Sequence, residues 1–466
     1  MCGIYGCSGI KDAVNHALMG AFCLQHRGQE GAGVTVWDPG QRRLNHQARL
    51  GLVAHLGEKI VPADFPGDTA ISHVRYGTVG ASELANVQPL MRQSLGRQIA
   101  VAHNGQFVRI KFAGELLPID QVRTRLEVEG VCFSSSADTE LMFPLIARSK
   151  KAEMTEKIID VLENIHGAFS LLVAWEGYLV AAVDPWNFRP LCLGKINSGW
   201  AFSSESCAFD MLGVEYQREL KPGEIVIITP DKKLISRKLS HQIEPKACSF
   251  EFVYLARPDS TIFGQSVSTI RKKLAREMAQ QAVEEGLFRD GDLIVAVLDS
   301  GRTTALEFSK EANRLGIKAE YDFGLIRNHY SARIFIQPGQ DSRVRAVDLK
   351  HNVDRAIVKG RRIILIDDSI VRSTTAKSIV AKLYKSSAAE VHVVIPCPQI
   401  IGQCYYGIDF RTKGELAAAS QSILQIRENI GAKSLSYLEL GRFRQALNYQ
   451  GNFCLACFDG NYPIAP

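Results

Sequence analysis

No apolar run among the 466 residues reaches the ~18 that a membrane-crossing helix needs, so the sequence predicts no membrane span. The amino end lacks the basic segment, apolar core and cleavage site of a secretory signal. Long basic tracts are missing too. The net charge of +6 is spread along the chain, which suits anionic small molecules as well as nucleic acid, and no nucleic-acid partner is predicted. A disulfide framework is equally absent. Eleven cysteines, an odd number, are scattered through a long chain, which points to thiols and metal ligands in a reducing cytoplasm. What is present is a globular composition, 46% hydrophobic and 22% charged, in a chain long enough for two domains.

Residues 363–378 concentrate chemistry. Ile363 to Ile366 is an apolar run suited to a strand buried on both faces of a parallel sheet. Asp367 and Asp368 follow where that strand would end, and an amphipathic helix is predicted from Ala376 onward. Between them, Ser369, Ser373, Thr374 and Thr375 supply hydroxyls and backbone N–H groups. The first N–H groups of a helix lack partners and carry positive partial charge, so this is an anion site. Two carboxylates beside an anion require a spacer, and a sugar is one: its diol on the carboxylates, its 5′-phosphate in the loop. The segment resembles the phosphoribosyl-pyrophosphate (PRPP) loop of type I phosphoribosyltransferases, with Ser373 where that family usually has Gly. The resemblance implies that Asp367 and Asp368 meet the ribose hydroxyls and that Ser369, Arg372, Ser373, Thr374 and Thr375 hold the phosphate. It also implies Mg²⁺ on the pyrophosphate, with Asp367 and Asp368 as candidate ligands.

At the other end, Met1 precedes a small residue and its removal would make Cys2 terminal. A terminal cysteine carries a thiol and, in its own amine of pKa near ~8, a base. Four further segments, Leu24–Gly31, Ser72–Thr78, Ala102–Gly105 and Ser136–Glu140, resemble with it the glutaminase half of class II glutamine amidotransferases. That family's fold is the N-terminal-nucleophile αββα sandwich. The resemblance implies Cys2 as nucleophile, with the Asn104 amide and the Gly105 N–H facing the oxyanion. Arg75 would grip the glutamine carboxylate in a bidentate fork, Asp138 its ammonium, and Arg27 would also line the glutamine site. The glycines of the Leu24–Gly31 segment, with Gly33, predict a loop able to close over a ligand. Gly77 and Gln106 depart from the family pattern. Phe169–Ala174 and Tyr178–Val183 predict paired strands; Asp184–Leu191 and Ser203–Ser206 read as scaffold. The polar stretch 230–247 predicts a linker between domains at 2–235 and 248–466.

Cys248–Ser260 opens a second half that resembles the transferase half of the glutamine PRPP amidotransferases, and with it the match spans nearly the whole chain. A helix is predicted over 266–285 and strands over Leu293–Val297 and Val391–Ile395, with 414–447 mostly helical. Asp299, Ser300 and Gly301 stand like the family's pyrophosphate loop, after Leu298 where Pro is usual. Residues 321–353 resemble the family's flexible loop but depart at Arg327, His329, Ile334 and Asp348, where fewer cations would weaken stabilisation of a departing pyrophosphate. Cys454 and Cys457 form a C-x-x-C that alone leaves zinc, redox and iron–sulfur chemistry open. With Cys248 and Cys404 they match the four contexts in which some family members bind a four-iron four-sulfur cluster.

The resemblance thus implies a two-domain enzyme: an αββα sandwich followed by a parallel-sheet phosphoribosyltransferase domain. It would aminate PRPP to 5-phosphoribosylamine with glutamine nitrogen, the first step of purine synthesis. Purine nucleotides would inhibit it, and it would be a dimer or tetramer. An amidotransferase with another phosphoribosyl acceptor, and a PRPP-binding regulator without activity, remain as alternatives.

Overall fold

The computed structural model describes residues 1–77, 83–328, 351–409 and 412–465. Its first half contains two antiparallel seven-stranded sheets. Gly3–Ser8, Gly31–Asp38 and Thr69–Arg75 lie in the first. The long strand Arg97–Phe112 organises the second, paired with Ile165–Trp175. Ile4, Ile71, Ala102, Leu172 and Phe202 fill the space between the sheets. Helix Ala13–Cys23 packs on the outer face of the first sheet, and helices Ile119–Val128 and Met154–Glu163 on that of the second. Each central strand is therefore covered on both faces, which is why its residues run apolar or small without alternation. Trp175 stands opposite Tyr178, and Glu176 and Gly177 make the hairpin turn, both with positive φ.

The second half is a five-stranded parallel sheet in the order Glu320–Tyr321, Leu293–Ala296, Arg362–Ile366, Glu390–Ile395, Ser434–Tyr437. Helix Val267–Glu284 matches the predicted segment to within one residue, and helix Thr374–Lys385 begins two residues before the predicted start. Residues 414–447 are mostly helical, as the sequence predicts, with the strand Ser434–Tyr437 added. It is a four-residue edge strand between helices Ile423–Ile430 and Leu440–Ala446, too short for its alternation to show against helical flanks.

The boundary is tighter than the polar stretch 230–247 suggests. Leu234–Lys238 pairs with Glu224–Ile228 as an edge strand whose outward face is polar, so the second sheet continues past residue 235. Ala247–Cys248 then lies parallel to Phe453–Cys454, joining the two ends of the second half. An apolar cluster bridges the halves: Val108, Ala168 and Phe188 from the first meet Tyr406, Cys454 and Ile464 from the second. Among the described residues no helix is long and apolar enough to cross a membrane.

Candidate active sites

Cys2 stands at the start of strand Gly3–Ser8. Because Gly3 is registered with Val74, Cys2 is carried beside Arg75 at the same end of the sheet. The partly buried thiol lies 3.8 Å from the Tyr76 carbonyl. Arg75 is 6% exposed and donates from Nη1 to the Asn86 carbonyl at 2.8 Å. The Asn86 side chain accepts from the Ser136 N–H and hydroxyl at 3.0 and 3.1 Å. One asparagine thus ties the arginine to the Ser136–Asp138 segment.

Asp138 is tied in turn to the strand that bears Asn104. Its Oδ2 accepts from the Phe107 N–H at 2.7 Å and its Oδ1 from the Thr139 N–H at 2.8 Å. Burial opposes its ionisation, but the His103 ring and these backbone donors outweigh burial and hold the carboxyl below its ordinary range. His103 N–H donates to Gln88 Oε1 at 2.6 Å, and Gln88 Nε2 to Thr139 Oγ1 at 3.2 Å. Along a strand, alternate N–H groups face the same edge. Those of His103 and Phe107 are taken by Gln88 and Asp138, and that of Gly105 faces the same way between them. A Cβ on Gly105 would stand 2.0 Å from the Ala168 carbonyl oxygen, so only glycine fits. The Asn104 side chain is fully buried, yet neither its nitrogen nor its oxygen has a hydrogen-bond partner. Buried amides are nearly always satisfied. A buried amide without a partner, next along the strand to the Gly105 N–H, leaves two donors able to meet a ligand oxygen.

The glycines of the Leu24–Gly31 segment and Gly33 have a packing role. A Cβ on Gly28 would lie 2.5 Å from the Arg75 carbonyl, and one on Gly33 2.4 Å from the Gln88 carbonyl oxygen. These glycines permit close backbone packing under the site. At Gly77, one of the two departures, the Glu30 carboxylate occupies the space a side chain would need, 2.0 Å from a Cβ.

Arg27 is fully engaged in a charged core between the halves. It donates from Nε to the Cys2 carbonyl at 2.9 Å, from Nη1 to Glu205 at 2.6 Å, and from Nη2 to Glu251 at 2.9 Å. Its contact with the nucleophile is through the backbone. Arg189 donates to the same Glu251 at 3.1 Å and grips the Tyr406 carbonyl from Nε and Nη2 at 3.1 and 2.6 Å. Glu205 also meets His26 at 2.7 Å and accepts from the Ser260 hydroxyl at 2.6 Å. Burial would raise its pKa; His26 and Arg27 hold it well below the carboxylate range. Such a network is costly to break, because removing one partner leaves a buried charge uncompensated. Sequence reading took Asp184–Leu191 and Ser203–Ser206 as scaffold. Arg189 and Glu205 sit in those segments, and their role shows only when their partners are brought from the other half.

In the parallel sheet, strands Leu293–Ala296 and Arg362–Ile366 are neighbours, with Ala296 opposite Ile366. Their carboxyl ends deliver Asp299–Gly301 and Asp367–Thr375 to one edge, where ligands of open parallel sheets bind. Gly301 packs these loops together: a Cβ there would lie 2.8 Å from the carbonyl oxygens of both Ile366 and Val297. The Leu298–Asp299 peptide is cis. Asp299 pairs with Arg327, and the His351 ring meets the Leu298 carbonyl at 2.9 Å. The short pair Leu325–Arg327 and His351–Val353 therefore stands over the Leu298–Gly301 loop. His329, Ile334, Asp348 and most of the predicted flexible loop lie outside the described residues, as does Thr78.

Asp367 and Asp368 are each 8% exposed. Ser369 donates to Asp368 at 2.8 Å, and Arg372 pairs with Glu415 at 3.1 Å. Ser373 precedes helix Thr374–Lys385 with φ 59°, the left-handed region that glycine enters freely. This accounts for the family's glycine at that position. The Ser373 hydroxyl is buried and has no hydrogen-bond partner. With the first N–H groups of the helix, it forms a phosphate-sized set of donors.

Cys248, Cys404, Cys454 and Cys457 line one pocket, beside Arg189 and Tyr406. Cys248 and Cys454 are register partners. Burial pushes the Cys248 thiol up to about 11 and raises Cys454 and Cys457 as well, with neighbouring thiols adding to it. Among the described residues no three His, Cys, Asp or Glu side chains gather closely enough for a single metal ion. Four thiols around one pocket are the donor type that binds soft metals.

Three comparisons bear on this arrangement. Residues 82–211 match the family model described as a glutamine amidotransferase domain. The amidophosphoribosyltransferase of Methanocaldococcus jannaschii is 38% identical over 482 residues, covering 99% of this chain and 98% of its own. The chloroplastic amidophosphoribosyltransferase of Glycine max is 39% identical over 469 residues, covering 100% of this chain and 78% of its own. The solved glutamine PRPP amidotransferase of B. subtilis, complexed with ADP and GMP, superposes with a TM-score of 0.88. It is 37% identical and covers 99% of this chain and 97% of its own.

Proposed function

The chain belongs to the amidophosphoribosyltransferase family, and on that premise we propose how its own residues carry out glutamine-dependent amination of PRPP. Removal of Met1 makes Cys2 terminal. The freed α-amine of Cys2, with an ordinary pKa near ~8, takes the thiol proton and returns it to the departing nitrogen. The thiolate attacks the side-chain amide of glutamine, whose carboxylate Arg75 holds and whose ammonium Asp138 holds. The Asn104 amide and Gly105 N–H take the charge on oxygen as the tetrahedral intermediate forms. Its collapse to the γ-glutamyl thioester expels ammonia, and water then releases glutamate.

Met1 is buried in the apolar core of the second half, while its amine feels Arg27, Arg189 and Glu251. The space it fills lies between the nucleophile and the transferase half, and its removal supports an interior path for ammonia. At the far end, Asp367 and Asp368 bind the ribose diol, and Ser373, Thr374 and Thr375 with the helix N-terminus bind the 5′-phosphate. Asp299, Ser300 and Gly301 cradle the pyrophosphate. Ammonia attacks C1, the C1–O bond breaks, and pyrophosphate leaves.

Mg²⁺, when bound, would supply positive charge against the departing pyrophosphate. One or two carboxylates plus substrate oxygens are its usual ligands, and Asp367 and Asp368 fit that role. The four-cysteine pocket fits a four-iron four-sulfur cluster held by Cys248, Cys404, Cys454 and Cys457, which would pin the tail to the body and confer sensitivity to oxygen. The ADP and GMP of the solved relative support purine nucleotides as inhibitors. Eleven cysteines without a disulfide support a reducing compartment.

The observation that carries this reading is the buried, unfilled Asn104 amide set against Asp138 and the Gly105 N–H. Its test is pyrophosphate release from PRPP with glutamine and, separately, with ammonia. Both are expected. Glutamine hydrolysis without pyrophosphate release would assign another acceptor, and neither activity would leave a PRPP-binding regulator.

A further inference from the structure

The strand that carries the oxyanion donors is backed by the other half of the protein at one point. Gly407 has φ 103°, and a Cβ built on it would stand 2.8 Å from the Gly105 carbonyl oxygen and 2.9 Å from its carbonyl carbon. The backbone of the second half therefore rests directly on the Gly105 peptide. Gly407 is fixed in place from several directions. The preceding carbonyl, Tyr406 O, is gripped by Arg189 Nε and Nη2 at 3.1 and 2.6 Å. The Tyr406 ring stacks on Phe188 at 4.3 Å between centroids. Its hydroxyl accepts from the Ile464 N–H at 2.9 Å and donates to the Ile464 carbonyl at 2.8 Å. The Tyr406 N–H donates to Cys404 Sγ at 3.4 Å. On the other side of the Gly105 peptide, Ala168 belongs to the same bridging cluster as Tyr406 and Cys454.

We propose that Gly407 is a positioning residue for glutamine hydrolysis: the Cys404–Gly407 turn of the second half sets where the Gly105 oxyanion donor lies in the first. The inference rests on the assignment of Gly105 to the oxyanion hole. Glycine is required at 407 because any side chain would push against the Gly105 carbonyl, and a shift of that carbonyl moves the same residue's N–H. An oxyanion hole acts by having its donors fixed before charge develops, so a displacement too small to unfold the protein is felt in the chemical step. Glutamine itself is held by Arg75 and Asp138, which the turn does not touch. The turn also bears Cys404, so whatever fixes the cysteine pocket fixes the same lever.

The test compares Gly407→Ala with the unaltered enzyme. Expected is a fall in kcat for glutamine hydrolysis of about tenfold to a hundredfold, less than the roughly 10²- to 10³-fold cost of losing an oxyanion donor outright, because the donor is displaced and not removed. The KM for glutamine and the ammonia-dependent rate should stay within about twofold, since uniform binding and the second site are intact. An unchanged kcat, a raised KM with kcat preserved, or an equal loss of both activities in a protein that melts normally would overturn the proposal. Should Gly407→Ala fail to fold, Arg189→Lys gives the same reading. It keeps the charge near Glu251 but loses the fork on Tyr406 O, and a kcat-selective loss is again expected. An unaltered enzyme that fails to release pyrophosphate with either nitrogen source would refute the functional assignment instead, a result distinct from any of these.

Discussion

At the amino end, Arg75, Asn104 and Asp138 come from both sheets and a turn. They are knitted through Asn86, Gln88, His103 and Thr139 before any substrate arrives. At the carboxyl end, two neighbouring strands of one sheet deliver the loops proposed to bind PRPP, and the buried Ser373 hydroxyl lies at the helix N-terminus without a protein partner. The difference follows the chemistry. A thioester-forming site must hold an oxyanion hole rigid, because its donors act only if already in position. A site for a large polyanion needs mainly unpaid N–H groups and hydroxyls at a strand end, and substrate and Mg²⁺ complete it. Between them lies the ion network of Arg27, Glu205, Glu251 and Arg189, fully buried and belonging to neither site alone.

The comparison breaks most sharply at Cys2. Cys2→Ala should abolish glutamine-dependent turnover, by about 10³-fold or more, and spare ammonia-dependent turnover; assays with each nitrogen source check it. Next in size is the network. Glu251→Gln leaves Arg27 and Arg189 underpaired and should cost about 3–5 kcal/mol of stability, read by urea denaturation. Asp368→Asn should lower kcat/KM for PRPP about 10- to 100-fold, the worth of a hydrogen bond to a charged group, equally with glutamine and with ammonia. Equal loss with both donors is what separates it from Cys2→Ala.

A smaller effect tests the rigidity of the amino-end core. His73 is fully buried, and burial, followed by the charges of Arg75 and His103, pushes it down to about 3. A group whose folded pKa lies below its unfolded value lends stability above the unfolded pKa and loses it as pH falls. Stability should therefore decline from about pH 6.5 downward. His16, His46 and His166, also lowered by burial, act in the same direction. His73→Asn should flatten the urea midpoint between about pH 6.5 and 5. Smallest is Ser373→Gly. Relief of a left-handed residue, about 1–2 kcal/mol, is offset by glycine's added chain entropy, about 0.5–1 kcal/mol. The melting temperature should rise slightly, while the lost hydroxyl raises the KM for PRPP severalfold.

The two ends differed in how far their sequence could be read. The run from Ile363 to Thr375 is local: strand, carboxylates, hydroxyls and helix follow one another, and the structure keeps them in that order. The strands of the sandwich were legible in part, as with the hairpin around Gly177, because a strand covered on both faces still shows as an apolar run. The amino-end site was visible only as motifs, because its residues meet across sheets. Arg27 shows the limit. Its motif suggested a glutamine ligand, whereas its donors are met by Glu205, Glu251 and the Cys2 carbonyl. No local pattern announces that Glu251 lies opposite two arginines from another domain, or that Gly407 rests on Gly105. The edge strand Ser434–Tyr437 escaped for a plainer reason: four residues with alternating serines carry too little periodicity.

The account depends on one nitrogen passing from the Cys2 site to C1 of PRPP without entering bulk water. Glutamine labelled with ¹⁵N in its side-chain amide, turned over with PRPP in excess unlabelled ammonium at a pH where little of it is free ammonia, tests this directly. The account predicts phosphoribosylamine that keeps nearly all of the label. Label diluted to the isotopic composition of the bulk would contradict it.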